Sequence, residues 1–155
     1  MKFSLSKMQQ FRLPTILRLS SVLFFLANPA FASFTVDEVT IDQFKGRGCG
    51  MTLWKLSRKS SNYFVFFNGI EPNSIEMSIN GKLQKFTRIK GSGQQFYGQM
   101  TSQTFQNKDK KITVDVNLEL GKKVDTEVTL ISKGTIRVKR DKDVVSFAVR
   151  GDAGC

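Results

Sequence analysis

Histidine is absent from the 155-residue chain. Without it the chain holds no Ser-His-Asp or Cys-His nucleophilic system, and it lacks the residue on which catalytic zinc and copper sites usually depend. Cysteine occurs only twice, and two thiols without an imidazole fall short of a structural zinc set. Acidic residues are scarce, 13 Asp and Glu against 24 Lys and Arg, for a formal net charge of +11. Long apolar runs are missing too. The main one, "LSSVLFFLA" at Leu19–Ala27, is far short of the roughly twenty residues of a membrane-spanning helix. There is no Walker loop and no GxGxxG, and "GSGQQFYG" lacks the strand-turn-helix setting that phosphate-binding glycines require. The expectation is a protein that is not an enzyme and carries no cofactor or metal.

What is present starts with a leader. Lys2, Lys7, Arg12 and Arg18 come first with no acid among them, the apolar run follows, and "NPAFA" sets Ala30 and Ala32 before Ser33. Charge, apolar core and A-x-A in that order form an export signal, cut ahead of Ser33. Residues 1–32 are therefore expected to be a cleaved signal peptide and residues 33–155 a single exported domain, periplasmic or extracellular, with no transmembrane segment. Its 20 basic and 13 acidic residues leave a net charge of about +7.

Export decides how the cysteines are read. In an oxidising compartment two cysteines without competitors pair, so Cys49 in "GRGCGM" and Cys155 in "GDAGC" are expected to form a disulfide. For a loop of that size chain-entropy estimates give about 4–5 kcal/mol.

Period-two alternation runs through the exported part. In "KITVDVNLEL" Ile112, Val114, Val116, Leu118 and Leu120 face one side, with Thr113, Asp115, Asn117 and Glu119 on the other. A turn at Gly121-Lys122-Lys123 would set Leu120 opposite Val124 and Val116 opposite Val128. It would also set Glu119 opposite Asp125 and Asn117 opposite Glu127. "FTVDEVTIDQF", "MTLWKL", "NYFVFF", "SIEMSI", "KLQKFTRI", "QQFYGQM", "GTIRVKR" and "VVSFAV" supply further strands. Asn80-Gly81 is the clearest hairpin signal, Gly91-Ser92-Gly93 reads as another turn, and no helix is expected after the leader. The fold class is all-β: an antiparallel meander of about eight to ten short strands, closed or nearly closed into a small barrel, with a β-sandwich as the alternative. A disulfide between the second strand and the end of the last favours closure, which also removes exposed edges.

Candidate chemistry is sparse. Asp115, Glu119, Asp125 and Glu127 could pair for acid-base work or calcium, but regular alternation places them in a solvated row. "RGD" at Arg150–Asp152 reads as a turn near the disulfide. Trp54, Tyr63, Phe64, Phe66, Phe67, Phe86, Phe96, Tyr97 and Phe147 either line an apolar-ligand cavity or fill the barrel. Basic residues at alternate strand positions, Arg88 and Lys90 in "KLQKFTRIK" and Arg137 and Lys139 in "TIRVK", form a candidate surface for an anionic envelope polymer or a membrane surface. Nucleic acid is disfavoured as a partner by export. The leading expectation is thus an exported, non-enzymatic binding or envelope-associated protein. The alternatives are a small apolar-ligand carrier, then a carboxylate glycosidase. Inhibition of a host lysozyme is disfavoured by like charge. N-terminal sequencing of the exported protein should start at Ser33 or within a residue or two; a stable envelope product starting at Met1 contradicts the leader.

Overall fold

In the computed structural model, residues 33–44, 49–60, 62–69, 71–124 and 126–155 are described; the expected leader, residues 1–32, lies outside them. The described residues form β1 (Val36–Asp37), a single 3₁₀ turn (Ile41–Gln43), β2 (Gly50–Lys55), β3 (Phe66–Asn68), β4 (Ser74–Ile79), β5 (Lys82–Phe96), β6 (Gln99–Asn107), β7 (Ile112–Lys123), β8 (Val128–Arg140) and β9 (Asp143–Gly154). From β2 onward each strand pairs antiparallel with the next. β9 then returns to β2 through an unbroken ladder from Gly50↔Gly154 to Lys55↔Val149. The result is a closed eight-stranded barrel, not a sandwich. β1 lies outside that circuit and pairs with β4 at Val36↔Ile79 and Asp37↔Ser78, where β3 has already ended.

The strands follow the alternation. Ile75, Met77 and Ile79 of β4, Val114 and Val116 of β7, and Ile136 and Val138 of β8 are all buried in one core with Met51, Leu53, Phe66, Phe86 and Phe105. The Phe66 and Phe105 rings meet edge to face, with centroids 5.8 Å apart. An eight-stranded barrel has an interior just wide enough for side chains to fill, and each such side chain contributes about 1.5–3 kcal/mol by leaving water.

Two expected turns are strand instead. β7 runs straight through Gly121-Lys122-Lys123, and the chain reverses between Val124 and Val128, whose N and O are joined by a 2.9 Å hydrogen bond donated by Val124. Val116 therefore faces Ile136, and Leu120 faces Ile131. Both registers keep one face apolar, so alternation alone could not choose between them. What chooses is the long β8, whose partners on either side are fixed by closure, with bulges near Leu120 and Ser132 absorbing the mismatch. Likewise Gly91-Ser92-Gly93 lies inside β5, with Gly93 in the second of its two register shifts, and the turn falls at Tyr97-Gly98. Glycine inside a strand marks a bulge as often as an end. Asn80-Gly81 does turn the chain, with φ of 51° and 72°, the paired left-handed values of a type I′ hairpin. The expected first strand is broken up: after β1, Val39 bridges Phe64, and Gln43 Oε1 accepts from Thr40 N at 2.8 Å to shape the 3₁₀ turn.

Both barrel ends are covered. At the disulfide end the β5–β6 hairpin bends inward, burying Phe96 and Gln99. Gln99 Nε2 donates to Asn68 Oδ1 at 2.7 Å, and Tyr97 OH donates to Thr126 O at 3.0 Å. At the other end residues 33–37 cross the opening. Phe34 and Val36 join the barrel core, and Thr35 N donates to Asn80 Oδ1 at 2.8 Å. Outside the wall, Phe44 stacks on Phe67 at 4.7 Å and Trp54 meets Phe64 edge-on at 6.3 Å, forming a small second cluster.

Cys49 and Cys155 are joined, each one residue beyond the Gly50↔Gly154 end of the β2–β9 ladder. Both thiols should resist alkylation under native, non-reducing conditions. Cys155→Ser should lower the unfolding free energy by about 2–5 kcal/mol in urea titrations.

Candidate anionic-partner surface

The four basic residues expected on one surface are separated by a bulge. β5 pairs Arg88 with Phe105 but Lys90 with Thr104, leaving Ile89 as the extra residue. Phe105 is fully buried in the barrel, so Arg88 faces inward and Lys90 outward. Simple alternation had put both on the same side. Arg88 fans its guanidinium over three acceptors at the disulfide end: Gly98 O at 3.0 Å, Gln103 Oε1 at 2.8 Å and Asn73 Oδ1 at 2.5 Å. That rigid fork suits several planar acceptors at once. It ties the bent hairpin to the barrel and turns the charge away from the outer wall.

Lys90, Arg137 and Lys139 do share the outer wall. Register places Lys90, Thr104, Asp115, Arg137 and Ser146 in one row across β5 to β9, with Lys139 in the next row beside Thr113 and Val144. Asp115 sits in the middle. Its Oδ2 accepts from Lys139 Nζ at 2.6 Å and its Oδ1 from Thr104 Oγ1 at 3.0 Å. Burial alone would raise the Asp115 pKa. The Lys139 and Thr104 hydrogen bonds, with the charges of Lys139 and Arg137, outweigh burial and hold the carboxyl below its ordinary range. Lys139 is thus largely neutralised, while Lys90 and Arg137 remain exposed and without an ion pair among the described residues.

The larger concentration of charge lies elsewhere. A meander brings alternate turns to the same end, and three turns meet at the end opposite the disulfide. They carry Lys82 beside Asn80-Gly81, Lys108, Lys110 and Lys111 between β6 and β7, and Lys142 between β8 and β9. All five lysines are exposed and none is ion-paired among the described residues. Two of the three acids in those turns, Asp109 and Asp143, are occupied locally, and the third, Asp141, is exposed. Asp109 Oδ1 accepts from Lys111 N at 3.2 Å, and Asp143 Oδ2 accepts from Ser33 N at 3.1 Å. By contrast Lys85 and Lys133 hold Glu71 and Glu119 at 2.9 and 3.1 Å. Sequence reasoning passed over "NKDKK" and "RDKD"; each joins two consecutive strands, and counting the strands between them places both at one end.

The carboxylate pairs expected from the hairpin do not form. Glu119 faces Lys133 and Asn117 faces Thr135, while Asp125 lies outside the described residues. Among the described residues no group of three or more acids or cysteines is placed to hold a metal ion. Arg150-Gly151-Asp152 lies within β9 rather than in a turn, paired with β2, and Asp152 Oδ1 accepts from Thr52 Oγ1 at 2.6 Å. The aromatics divide. Phe66, Phe86 and Phe96 fill the barrel and Phe147 packs at its edge; Trp54, Phe64 and Phe67 lie outside, with Tyr63 and Tyr97 exposed.

Because the folded-state pKa of Asp115 is lowered, the stability it supplies is present above the unfolded carboxyl value and is lost as pH falls through the lower folded one. Asp115→Asn should therefore cost about 1 kcal/mol at neutral pH, and urea unfolding should show the difference from the parent shrinking below about pH 4. No family model matches the chain, and no curated protein or solved structure is similar to it.

Proposed function

We propose that the chain is an exported, non-enzymatic β-barrel module that binds an anionic surface of the cell envelope, polymer or membrane, through one end of its barrel. The observation that carries this reading is the gathering of Lys82, Lys108, Lys110, Lys111 and Lys142 on three turns at a single end, all exposed and without acidic partners among the described residues. Lys90 and Arg137 extend the same field down the adjoining wall. Each lysine or arginine near an anionic membrane surface contributes about 1 kcal/mol, and the attraction decays within a Debye length of about 8 Å at physiological salt. Several cations on adjacent turns can act together over that distance, whereas the same charges dispersed around the barrel could not. The disulfide is compatible with the oxidising compartment that export implies.

Cosedimentation with anionic phospholipid vesicles, and separately with isolated cell-wall polymer, tests the reading. The parent protein should sediment at low salt and be released at moderate salt. The variant Lys108→Gln, Lys110→Gln, Lys111→Gln, Lys142→Gln should stay in solution in both conditions. Exchanging Lys90 and Arg137 for Gln should weaken sedimentation less. Equal retention of the parent and the four-lysine variant on both supports overturns the proposal.

A further inference from the structure

The expected cleavage point coincides with an unusual contact. Ser33, the first residue after "NPAFA", lies at the end of β8 and the start of β9. Its backbone N donates to Asp143 Oδ2 at 3.1 Å. Arg140 Nη2 donates to Ser33 O at 3.0 Å and to Ser33 Oγ at 3.1 Å. The next residue, Phe34, is buried in the barrel core with the Arg140 guanidinium 5.0 Å from its ring centroid. A serine at a chain junction is thus held on both its nitrogen and its carbonyl, directly beside an aromatic plug.

We infer that Asp143 is a receptor for the α-amino group freed by leader removal, and that cleavage turns the Ser33–Asp143 contact into an ion pair locking the Phe34 plug into the barrel. Hydrolysis of the Ala32–Ser33 peptide bond by an export-pathway peptidase consumes one water. Its hydroxyl ends on the Ala32 carbonyl carbon and its remaining proton on the Ser33 nitrogen, which takes a further proton from solvent to become an ammonium. Before the cut the contact is a neutral N–H donating to a carboxylate. Afterwards both partners are charged, and such hydrogen bonds are shorter and stronger than neutral ones. Among the described residues the carboxylate on the Ser33 nitrogen is that of Asp143 alone, and Arg140 and Lys142 are the neighbouring cations, so the ammonium depends on this acid to offset them. The hydrogen bonds from Ser33, aided by the charges of Lys142 and Arg140, already hold the Asp143 carboxyl below its ordinary range. The latch needs Ser33 itself to be first: one extra residue would carry the charge past Asp143.

The sign of the pH effect follows. A carboxylate partner raises the pKa of an amine, so the latch is fully present below the ordinary α-amino value of about 8 and is lost as pH rises through the raised folded value. The experiment starts from the full-length chain, exported by its host and purified after processing, with the N-terminus sequenced and the Ser33 Cα chemical shift followed from pH 6 to pH 10. The expected result is Ser33 at the N-terminus with a titration midpoint clearly above about 8. Asp143→Asn should bring that midpoint down to the ordinary value or below. The melting temperature of the parent should exceed that of Asp143→Asn at neutral pH and converge toward it as pH passes the midpoint. A full-length chain with one glycine inserted before Ser33 should lose that alkaline limb while keeping the fold. A mature N-terminus at another residue overturns the inference, as does a parental midpoint at or below about 8. The parental midpoint decides even if Asp143→Asn does not fold.

Discussion

The ladder between β2 and β9 is the constraint from which the rest of the molecule follows. Six consecutive residue pairs, from Gly50↔Gly154 to Lys55↔Val149, convert an open meander into a circuit in which every barrel strand has two neighbours. Once that seam is made, β8 must satisfy β7 and β9 together, and the bulges at Ser132 and Leu120 are where the competing registers are reconciled. Closure also defines an inside. Met51 and Leu53 on one side of the seam and Val149 and Ala153 on the other are fully buried because the sheet has curled back on itself. The Cys49–Cys155 bond extends the seam rather than substituting for it.

Much of this was legible in the sequence where one local rule had no competitor. Ile112 through Leu118 alternate cleanly and form β7; "SIEMSI" is β4 residue for residue; Asn80-Gly81 turns as its backbone preference dictates. Sequence reasoning failed where a second requirement overrode the local one. Glycines at Gly91, Gly93 and Gly121 suggested turns, but barrel strands are tilted and long, and the chain uses those residues to bend within a strand. The register of β7 against β8 could not be read, since either pairing keeps an apolar face.

The surface was less legible than the fold, for the same reason. Arg88 and Lys90 are two apart in sequence, which in an unbroken strand fixes them to one face. Ile89, 58% exposed, breaks that parity and sends the two cations to opposite sides of the sheet. Nothing in "FTRIK" signals a bulge, because the bulge is set by how β5 must bend to lay Phe96 and Gln99 over the barrel end. Lys108, Lys110, Lys111 and Lys142 needed no such information. A turn stays a turn whatever the register of its strands, so its charge is displayed wherever the meander places it.

The distance along the chain between the two halves of the seam carries a kinetic consequence. The cysteines that flank it are 106 residues apart in sequence, so the pairing that defines the barrel is also among its least local contacts. Hairpins such as β7–β8 can form as soon as their own residues are available, but they remain an uncurled ribbon with two bare edges until β9 arrives. Loop-closure entropy makes so distant a pairing slow to form. The tertiary structure is therefore withheld until β9 is available to close the circuit. The same delay leaves β2 and its partner edge open to pairing with another copy.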